Sequence, residues 1–176
     1  MRTAQAVGAG ISKPVFYEYV QARELERIAH GIYLSKDSWV DAMYLIQLRF
    51  EQAVFSHETA LFFRDLTERE PTEYAVTVKT GYNLTNLKAE SIQVFTIKAD
   101  LYGVGLTEAQ TPFGHIVPVY DMERTICDLL RSRRKMEIQT FQGALKAYVR
   151  RKDKDIKTVK GFDSESVVSI NEIFSF

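Results

Sequence analysis

The chain has one cysteine, three histidines and no long apolar run, and each scarcity excludes a class of protein. A single cysteine among 176 residues cannot form an internal disulfide framework and is typical of a reducing compartment. No apolar stretch approaches the roughly 20 residues that a membrane-spanning helix needs, and the N-terminus lacks the apolar core of a signal peptide. The sequence therefore predicts a cytoplasmic protein that does not engage a membrane.

Residues suited to catalysis or metal binding are also sparse. His30, His57 and His115 are scattered, and none lies at metal-ligand spacing from another histidine or from Cys127. The segments GAG and GVG are too short for a dinucleotide fingerprint, and no phosphate-binding loop motif is present. Cys127 falls within an amphipathic helical pattern, where we expect it to be a small buried hydrophobe. We therefore expect a protein that is not an enzyme and needs no metal or cofactor.

The formal net charge is zero, but the charges are unevenly distributed. Residues 131–160 carry eleven Lys or Arg against three Asp or Glu, whereas residues 35–130 carry eight against fourteen. Such a basic stretch indicates contact with something anionic. The alternative is a solvated helical face whose charges pair with the acidic part of the same protein.

The first 34 residues predict a helix, a tight turn, a second helix and a β-hairpin. Thr3 is expected to cap the first helix and Ser12 the second. Strands are expected at 25–29 and 32–34, joined by a turn that contains a glycine. This is the element order of a winged helix-turn-helix.

The second predicted helix has one apolar and one polar face, which suits DNA reading. The apolar face is formed by Val15, Phe16, Tyr19 and Val20. On the polar face, Gln21 could contact adenine, Lys13 guanine or phosphate, and Tyr17 phosphate or a thymine methyl. Arg27 and His30 of the hairpin could form a wing beside the DNA backbone. A protein-docking module is the alternative, because a net charge of +1 over these 34 residues is weak for DNA binding.

Residues 35–176 predict a mixed α/β domain. Strands are expected at 73–78 and 91–97, and in the two arms of a hairpin around the type I turn at 111–114. Helices are expected near 37–50, 57–66, 122–133 and 136–151, and a final one within 161–176. The first of these helices is predicted to bury an apolar stripe of Trp39, Val40, Met43, Ile46 and Phe50.

Two polar clusters allow a chemical and a structural interpretation. Ser56, His57 and Glu58 are adjacent, and we expect a helix N-cap with an acidic first turn rather than a nucleophile activated by its neighbour. Arg124 and Asp128 are four residues apart and can form an ion pair along a helix. The alternative is that Arg124 grips a phosphate or a partner's carboxylate through its planar guanidinium.

Four segments, in this order, resemble the AbiEi family of antitoxins from type IV toxin–antitoxin systems. They are AVGAGISKPVFYEYVQARELERIAHGIYL, AVFSHETALFFRDL, VPVYDMERTICDLL and FQGALKAYVRRKDKD. The resemblance spans Arg2 to Asp155. It implies an α+β protein with a winged helix-turn-helix at 1–34 and a mixed α/β antitoxin domain at 35–176. Since family members carry a further helix before the segment that matches Arg2–Gly10, we expect the winged module to be truncated.

The resemblance also implies a function in phage defence by abortive infection. The family is encoded beside AbiEii-type nucleotidyltransferase toxins; the N-terminal domain binds inverted repeats in the operon's promoter, and the C-terminal domain neutralises the toxin, without an obligatory stable complex. The residues expected on the antitoxin surface are Arg124, Arg133, Arg134, Arg150 and Arg151. The alternatives are a winged-helix regulator whose larger domain senses a ligand, and a transferase that modifies the toxin, since some family members are linked to toxin phosphorylation.

Overall fold

A computed structural model describes residues 1–155 and shows an α+β protein, as the sequence predicts. Contacts divide the chain into two compact units, Met1–Leu45 and Ile46–Phe176. The final helix expected within 161–176 lies outside the described residues. No helix among residues 1–155 is long and apolar enough to cross a membrane.

Two helices and a hairpin build the first unit. Its elements are α1 (Thr3–Gly8), α2 (Lys13–Ala22), β1 (Glu26–Ala29) and β2 (Ile32–Leu34), and the division between the units falls within α3 (Ala42–Arg49). The predicted order of elements is confirmed, but Thr3 is not a cap. It is the first residue of α1, and its backbone N–H donates to the carbonyl of Gly31 at 2.9 Å. Ser12 holds the N-cap position of α2, and its hydroxyl makes no capping bond.

The hairpin of the first unit is extended by the start of the chain. β1 and β2 pair antiparallel, and Arg2 forms an antiparallel bridge to Ile32 on the other side of β2. The Met1 ammonium donates to the carbonyl of Tyr33 at 2.7 Å, and the N–H of Tyr33 donates to the carbonyl of Met1 at 2.9 Å. Both edges of β2 are therefore paired, which fixes its position beside the two helices.

The core of the first unit is narrower than the sequence predicts. Phe16 and Val20 are buried with Ala6 and Tyr33. Val15 and Tyr19, which were expected on the same face, are 55% and 43% exposed. The other residues of this core come from α1, β2 and the chain before β1. They cover only the narrow stripe of α2 that Phe16 and Val20 form, since residues four apart lie on one side of a helix.

The second unit is a five-stranded mixed sheet with helices. Its elements are β3 (Val54–Phe55), α4 (His57–Phe63), β4 (Tyr74–Lys79), α5 (Thr85–Lys88), β5 (Ile92–Ile97), α6 (Ala99–Tyr102), β6 (Leu106–Gln110), β7 (Ile116–Tyr120), α7 (Met122–Ser132), a 3-10 helix (Arg133–Lys135) and α8 (Ile138–Arg150). The strands predicted at 73–78 and 91–97 and in both hairpin arms are confirmed. The turn between the arms is also confirmed, since the N–H of Gly114 donates to the carbonyl of Thr111 at 2.9 Å.

The strand order is β5-β4-β3-β7-β6. β4 and β5 run parallel, as do β3 and β7, whereas β3 pairs antiparallel with β4 and β6 pairs antiparallel with β7. The chain leaves the middle strand β3 directly into α4, and it leaves β7 directly into α7. Because β3 and β7 are neighbours and run parallel, α4 and α7 both begin where these two strands end, on the same side of the sheet.

An apolar cluster joins three of the helices. It consists of Leu61, Leu66, Met122, Ile126, Cys127, Leu129, Leu130, Ala144, Leu145 and Tyr148. Cys127 is fully buried in this cluster, as the sequence predicts. Asp121 caps α7 as predicted, because its carboxylate accepts the N–H of Arg124 at 2.7 Å. These contacts fix α7, which carries most of the polar residues of interest in this unit.

The apolar stripe predicted for residues 37–50 is only partly present. α3 starts at Ala42, so Trp39 and Val40 precede it. Trp39 is 85% exposed, and Val40 is also exposed. Met43 and Phe50 are buried as predicted. The helical periodicity of the sequence extends further than the helix, because residues 39–41 are not helical and the first two residues of the predicted stripe therefore leave it.

Candidate functional surfaces and cavity

The outer face of α2 presents the three residues proposed to read DNA. Lys13, Tyr17 and Gln21 are all exposed, and they follow one another at intervals of four residues. This spacing places them along one side of the helix. Phe16 and Val20 supply the buried side, and the ring of Tyr17 also packs edge-on against that of Phe16, with centres 5.7 Å apart.

The hairpin places its two predicted wing residues together. The Arg27 guanidinium lies 2.9 Å from Nδ1 of His30, and Nε of Arg27 donates to the carbonyl of Ala29 at 3.3 Å. The hairpin also touches α2, because the rings of Tyr17 and Tyr33 have centres 6.4 Å apart and nearly perpendicular planes. Tyr17 of the exposed row thus packs against the hairpin, and Arg27 and His30 are exposed on the hairpin itself.

The predicted antitoxin residues do not form one surface. Arg133 and Arg134 precede α8, whereas Arg150 ends it and Arg151 follows it. A helix of 13 residues is about 20 Å long, so the two pairs lie at opposite ends of α8. Arg151 is also engaged locally by Asp153, with two N–O distances of 2.8 Å.

Arg124 does not belong to that surface, because it is only 1% exposed. Its Nε lies 3.0 Å from both carboxylate oxygens of Asp128, which confirms the predicted ion pair along the helix. Burial raises the pKa of Asp128, and the charge and hydrogen bonds of Arg124 oppose that shift. The assignment of Arg124 to an exposed surface was therefore wrong. The sequence does not reveal this burial, because the residues that cover Arg124 are distant from it in the chain.

The remaining contacts of Arg124 link three parts of the second unit. Its Nη1 donates to the carbonyls of Leu101 and Val104 at 2.8 and 3.0 Å. Its guanidinium carbon lies 4.4 Å from the centre of the Tyr120 ring, within the range of a cation–π contact. One side chain thereby connects α7, the end of β7 and the segment between α6 and β6.

Ser56 and His57 lie at the junction of β3 and α4. Ser56 occupies the N-cap position, but its hydroxyl does not cap the helix. It accepts a hydrogen bond from the Thr77 hydroxyl at 2.8 Å and lies 3.0 Å from Nδ1 of His57. Because Ser56 is completely buried, no substrate can reach it in this conformation. The predicted capping bond is wrong, and a nucleophilic role for Ser56 is disfavoured as expected.

His57 is held in an unusual conformation. Its backbone φ is +48°, in the left-handed region that non-glycine residues seldom adopt. Its ring stacks on that of Phe95 in β5, with centres 3.5 Å apart and planes inclined by 11°. The stacked pair therefore bridges the β3–α4 junction and the edge strand of the sheet.

A cavity of about 200 Å³ opens beside this stacked pair. It is lined by His57, Thr77, Phe95, Thr96, Ile97, Arg124, Asp128, Arg131 and Ser132. Sequence reasoning identified His57, Arg124 and Asp128 as residues of interest but placed them in two separate clusters. Only the sheet topology brings them together, and no local sequence signal could have indicated the contribution of Phe95 or Thr77.

A second cavity, of about 290 Å³, is acidic. Glu58, Glu70, Glu73 and Glu137 line it together with Arg69 and several neutral side chains. The pKa of Glu58 is raised by its burial and by the charges of Glu137 and Glu73. Within residues 1–155, no group of three or more His, Cys, Asp or Glu side chains is arranged to hold a metal ion.

No protein-family model matches this chain, and no curated protein matches it.

Proposed function

We propose that this protein is an antitoxin that also represses its own operon, and that it neutralises a nucleotidyltransferase toxin. The observation that carries the proposal is the exposed row of Lys13, Tyr17 and Gln21 on α2, next to a hairpin that presents Arg27 and His30. The ordered resemblance of four segments to AbiEi-type antitoxins supports the same function.

The row on α2 has suitable chemistry for reading a major groove. An amide such as Gln21 can bond both the N6 and N7 positions of adenine, and an ammonium such as Lys13 can contact guanine or phosphate. In a winged helix-turn-helix, the helix supplies the base contacts and the adjacent hairpin contacts the backbone. The proposed site follows this division, with α2 as the reading helix and the Arg27–His30 pair as the wing.

Substitution of the α2 row should weaken binding to the operon's own promoter. We expect Tyr17→Ala and Gln21→Ala each to lower the affinity about tenfold or more, since a good side chain–base contact contributes about 1–3 kcal/mol. Both side chains are outside the buried core, so the fold should be retained. The measurement is a mobility-shift titration of promoter DNA at one fixed salt concentration, because affinity depends steeply on salt.

Gln5→Ala provides the matched control for Gln21→Ala. Gln5 is an exposed glutamine on α1, so the same chemical change is made outside the proposed row. Its promoter affinity should stay within about twofold of the original protein. Unchanged affinity in both the Tyr17 and Gln21 variants would show that α2 does not read DNA.

The antitoxin activity is proposed to use basic residues at the ends of α8. Because these lie in two separate pairs, each pair needs its own test. Reversal of Arg133 and Arg134 to glutamate should reduce growth rescue of cells that express the neighbouring toxin. Reversal of Arg150 and Arg151 should do the same if both ends meet the toxin or its anionic substrate, whereas one silent pair would locate the contact at the other end.

Reversal of Lys79 and Lys98 is the control for this experiment. Both lysines are exposed in the second unit and distant in sequence from α8, so the net charge changes equally without altering the proposed surface. Circular dichroism should confirm that each variant folds. Equal loss of rescue in the control and in the α8 variants would mean that overall charge, rather than this surface, determines the activity.

The cavity beside His57 favours a second candidate function, a regulator whose larger unit senses a small ligand. It combines an aromatic stack with several polar side chains, which is the usual composition of a ligand site. A transferase that modifies the toxin is the third candidate. Transfer of a radiolabelled nucleotide's phosphoryl group to the purified toxin would favour it over both other functions.

A further inference from the structure

The cavity beside His57 has two chemically different walls. One wall is the stacked pair of His57 and Phe95 with the neighbouring residues of β5. The other comes from α7 and consists of Arg124, Asp128, Arg131 and Ser132. A ligand that fits this space therefore meets aromatic and apolar surface on one side and charged or hydroxyl groups on the other.

The polar wall is a regular stripe of a helix that is otherwise in the core. Its members are separated by four, three and one residues, which is the spacing of a single helical face. Other residues of α7, such as Ile126, Leu129 and Leu130, are buried in the apolar cluster. Thus one face of α7 serves the core, whereas the other presents charged groups to a cavity.

The ionic groups of the stripe have a positive excess. Arg124 contacts both carboxylate oxygens of Asp128, so the negative charge of that carboxylate is already offset. Arg131 adds a second guanidinium at 3.6 Å from Asp128, and its side chain is 34% exposed. Two cations and one anion leave a charge of +1, and the second cation is accessible from solvent.

The backbone conformation of His57 determines where its ring lies. A non-glycine residue in the left-handed region is sterically disfavoured, because its Cβ approaches the backbone. Such conformations are concentrated at binding and catalytic sites, where the surrounding structure holds them in place. At this position the strain places the His57 ring flat against Phe95 and in the wall of the cavity.

We propose that this cavity binds a phosphate group, with Arg131 as its main ligand. A planar guanidinium offers paired N–H donors that match the oxygens of a phosphate. Coulomb attraction is proportional to the ligand's charge, so a site of charge +1 attracts a phosphate dianion twice as strongly as a carboxylate. This site is independent of the proposed DNA-binding surface.

Calorimetric titration with inorganic phosphate, in chloride buffer near neutral pH, tests the site directly. We expect saturable binding to the full chain and at least tenfold weaker binding by Arg131→Gln. The backbone amide resonances of Thr96 and Ser132 should shift with the same saturation curve.

Arg134→Gln is the matched control, because Arg134 is exposed and does not line the cavity. Its affinity for phosphate should stay within twofold of the original protein. Equal weakening by Arg134→Gln and Arg131→Gln would indicate diffuse surface charge and overturn the site. Absence of saturable binding would overturn it as well, and acetate binding as tightly as phosphate would overturn the assignment of the ligand.

Discussion

Replacement of Gly105 by alanine should lower the stability of the second unit by about 2–5 kcal/mol. The backbone φ of Gly105 is +72°, and an L-residue in the left-handed region costs about 1–2 kcal/mol. An added Cβ would also lie 2.6 Å from Cβ of Arg124 and about 3 Å from both carboxylate oxygens of Asp121. Relief of such overlap by movement of neighbouring groups costs about 1–3 kcal/mol more.

The overlap at Gly105 concerns groups that cannot easily move. The Cβ of Arg124 is fixed by the backbone of α7, and the Asp121 carboxylate caps that helix. The carbonyl of Gly105 also accepts the N–H of Asp121 at 2.7 Å, which holds the two segments together. In a chain of this size, we expect the melting temperature to fall by about 5–15 °C, measured by circular dichroism.

Gly103→Ala is the control for this prediction. Gly103 lies two residues earlier and has a φ of −80°. An added Cβ there meets no atom within 4 Å. Its melting temperature should change by no more than about 2 °C, because neither strain nor overlap is introduced. Equal stability of the two variants would show that the segment before β6 adapts without cost.

Local patterns in the sequence account for most of the secondary structure. The hairpin of β6 and β7 follows from two short strand candidates on either side of a turn with proline second and glycine fourth. α7 follows from its capping residue Asp121 and its apolar periodicity. These signals act over a few residues, so they are legible without knowledge of the tertiary structure. The ends of elements are predicted less accurately, since α3 was expected near 37–50 but starts at Ala42.

The environment of each side chain depends on contacts that the sequence does not encode locally. The ion pair of Arg124 with Asp128 was predictable from a separation of four residues. Its burial was not, because the other partners come from Leu101, Val104 and Tyr120. The same limitation made Val15 appear to be a core residue on periodicity alone, although it is 55% exposed.

The cavity illustrates the same limitation on a larger scale. His57 follows β3, Phe95 lies on β5, and Arg131 lies on α7, so the three are separated by more than 30 residues from one another. They meet only because β3 and β5 are both neighbours of β4 in the sheet. In addition, α7 follows β7, which runs parallel to β3, so α7 begins near the end of β3 where His57 lies. A motif search along the chain could not have combined them. The basic residues around α8 show the opposite case. They are close in sequence, but they lie at the two ends of the helix and do not form one surface.

Substitution of Arg124 by alanine should destabilise the second unit by about 3–5 kcal/mol, the usual cost of leaving a buried charge without its partner. Asp128 would lose the cation that offsets its charge, and the carbonyls of Leu101 and Val104 would lose a donor. The measurement is urea unfolding followed by circular dichroism. A double variant, Arg124→Leu with Asp128→Leu, should recover part of the loss, because it leaves no buried charge unpaired.

The dependence of this loss on pH separates the ion pair from simple loss of packing. Arg124 opposes the rise in the pKa of Asp128 caused by burial, so its removal should raise that pKa further above the ordinary value of 3.8. An acid with a raised pKa in the folded state stabilises the fold below its unfolded pKa, and this stability is lost as pH rises through the folded value. The deficit of Arg124→Ala should therefore be larger at pH 8 than at pH 5. A deficit independent of pH would mean that Arg124 acts through packing and carbonyl contacts alone, whereas normal stability with lost growth rescue would make it a contact residue for the toxin.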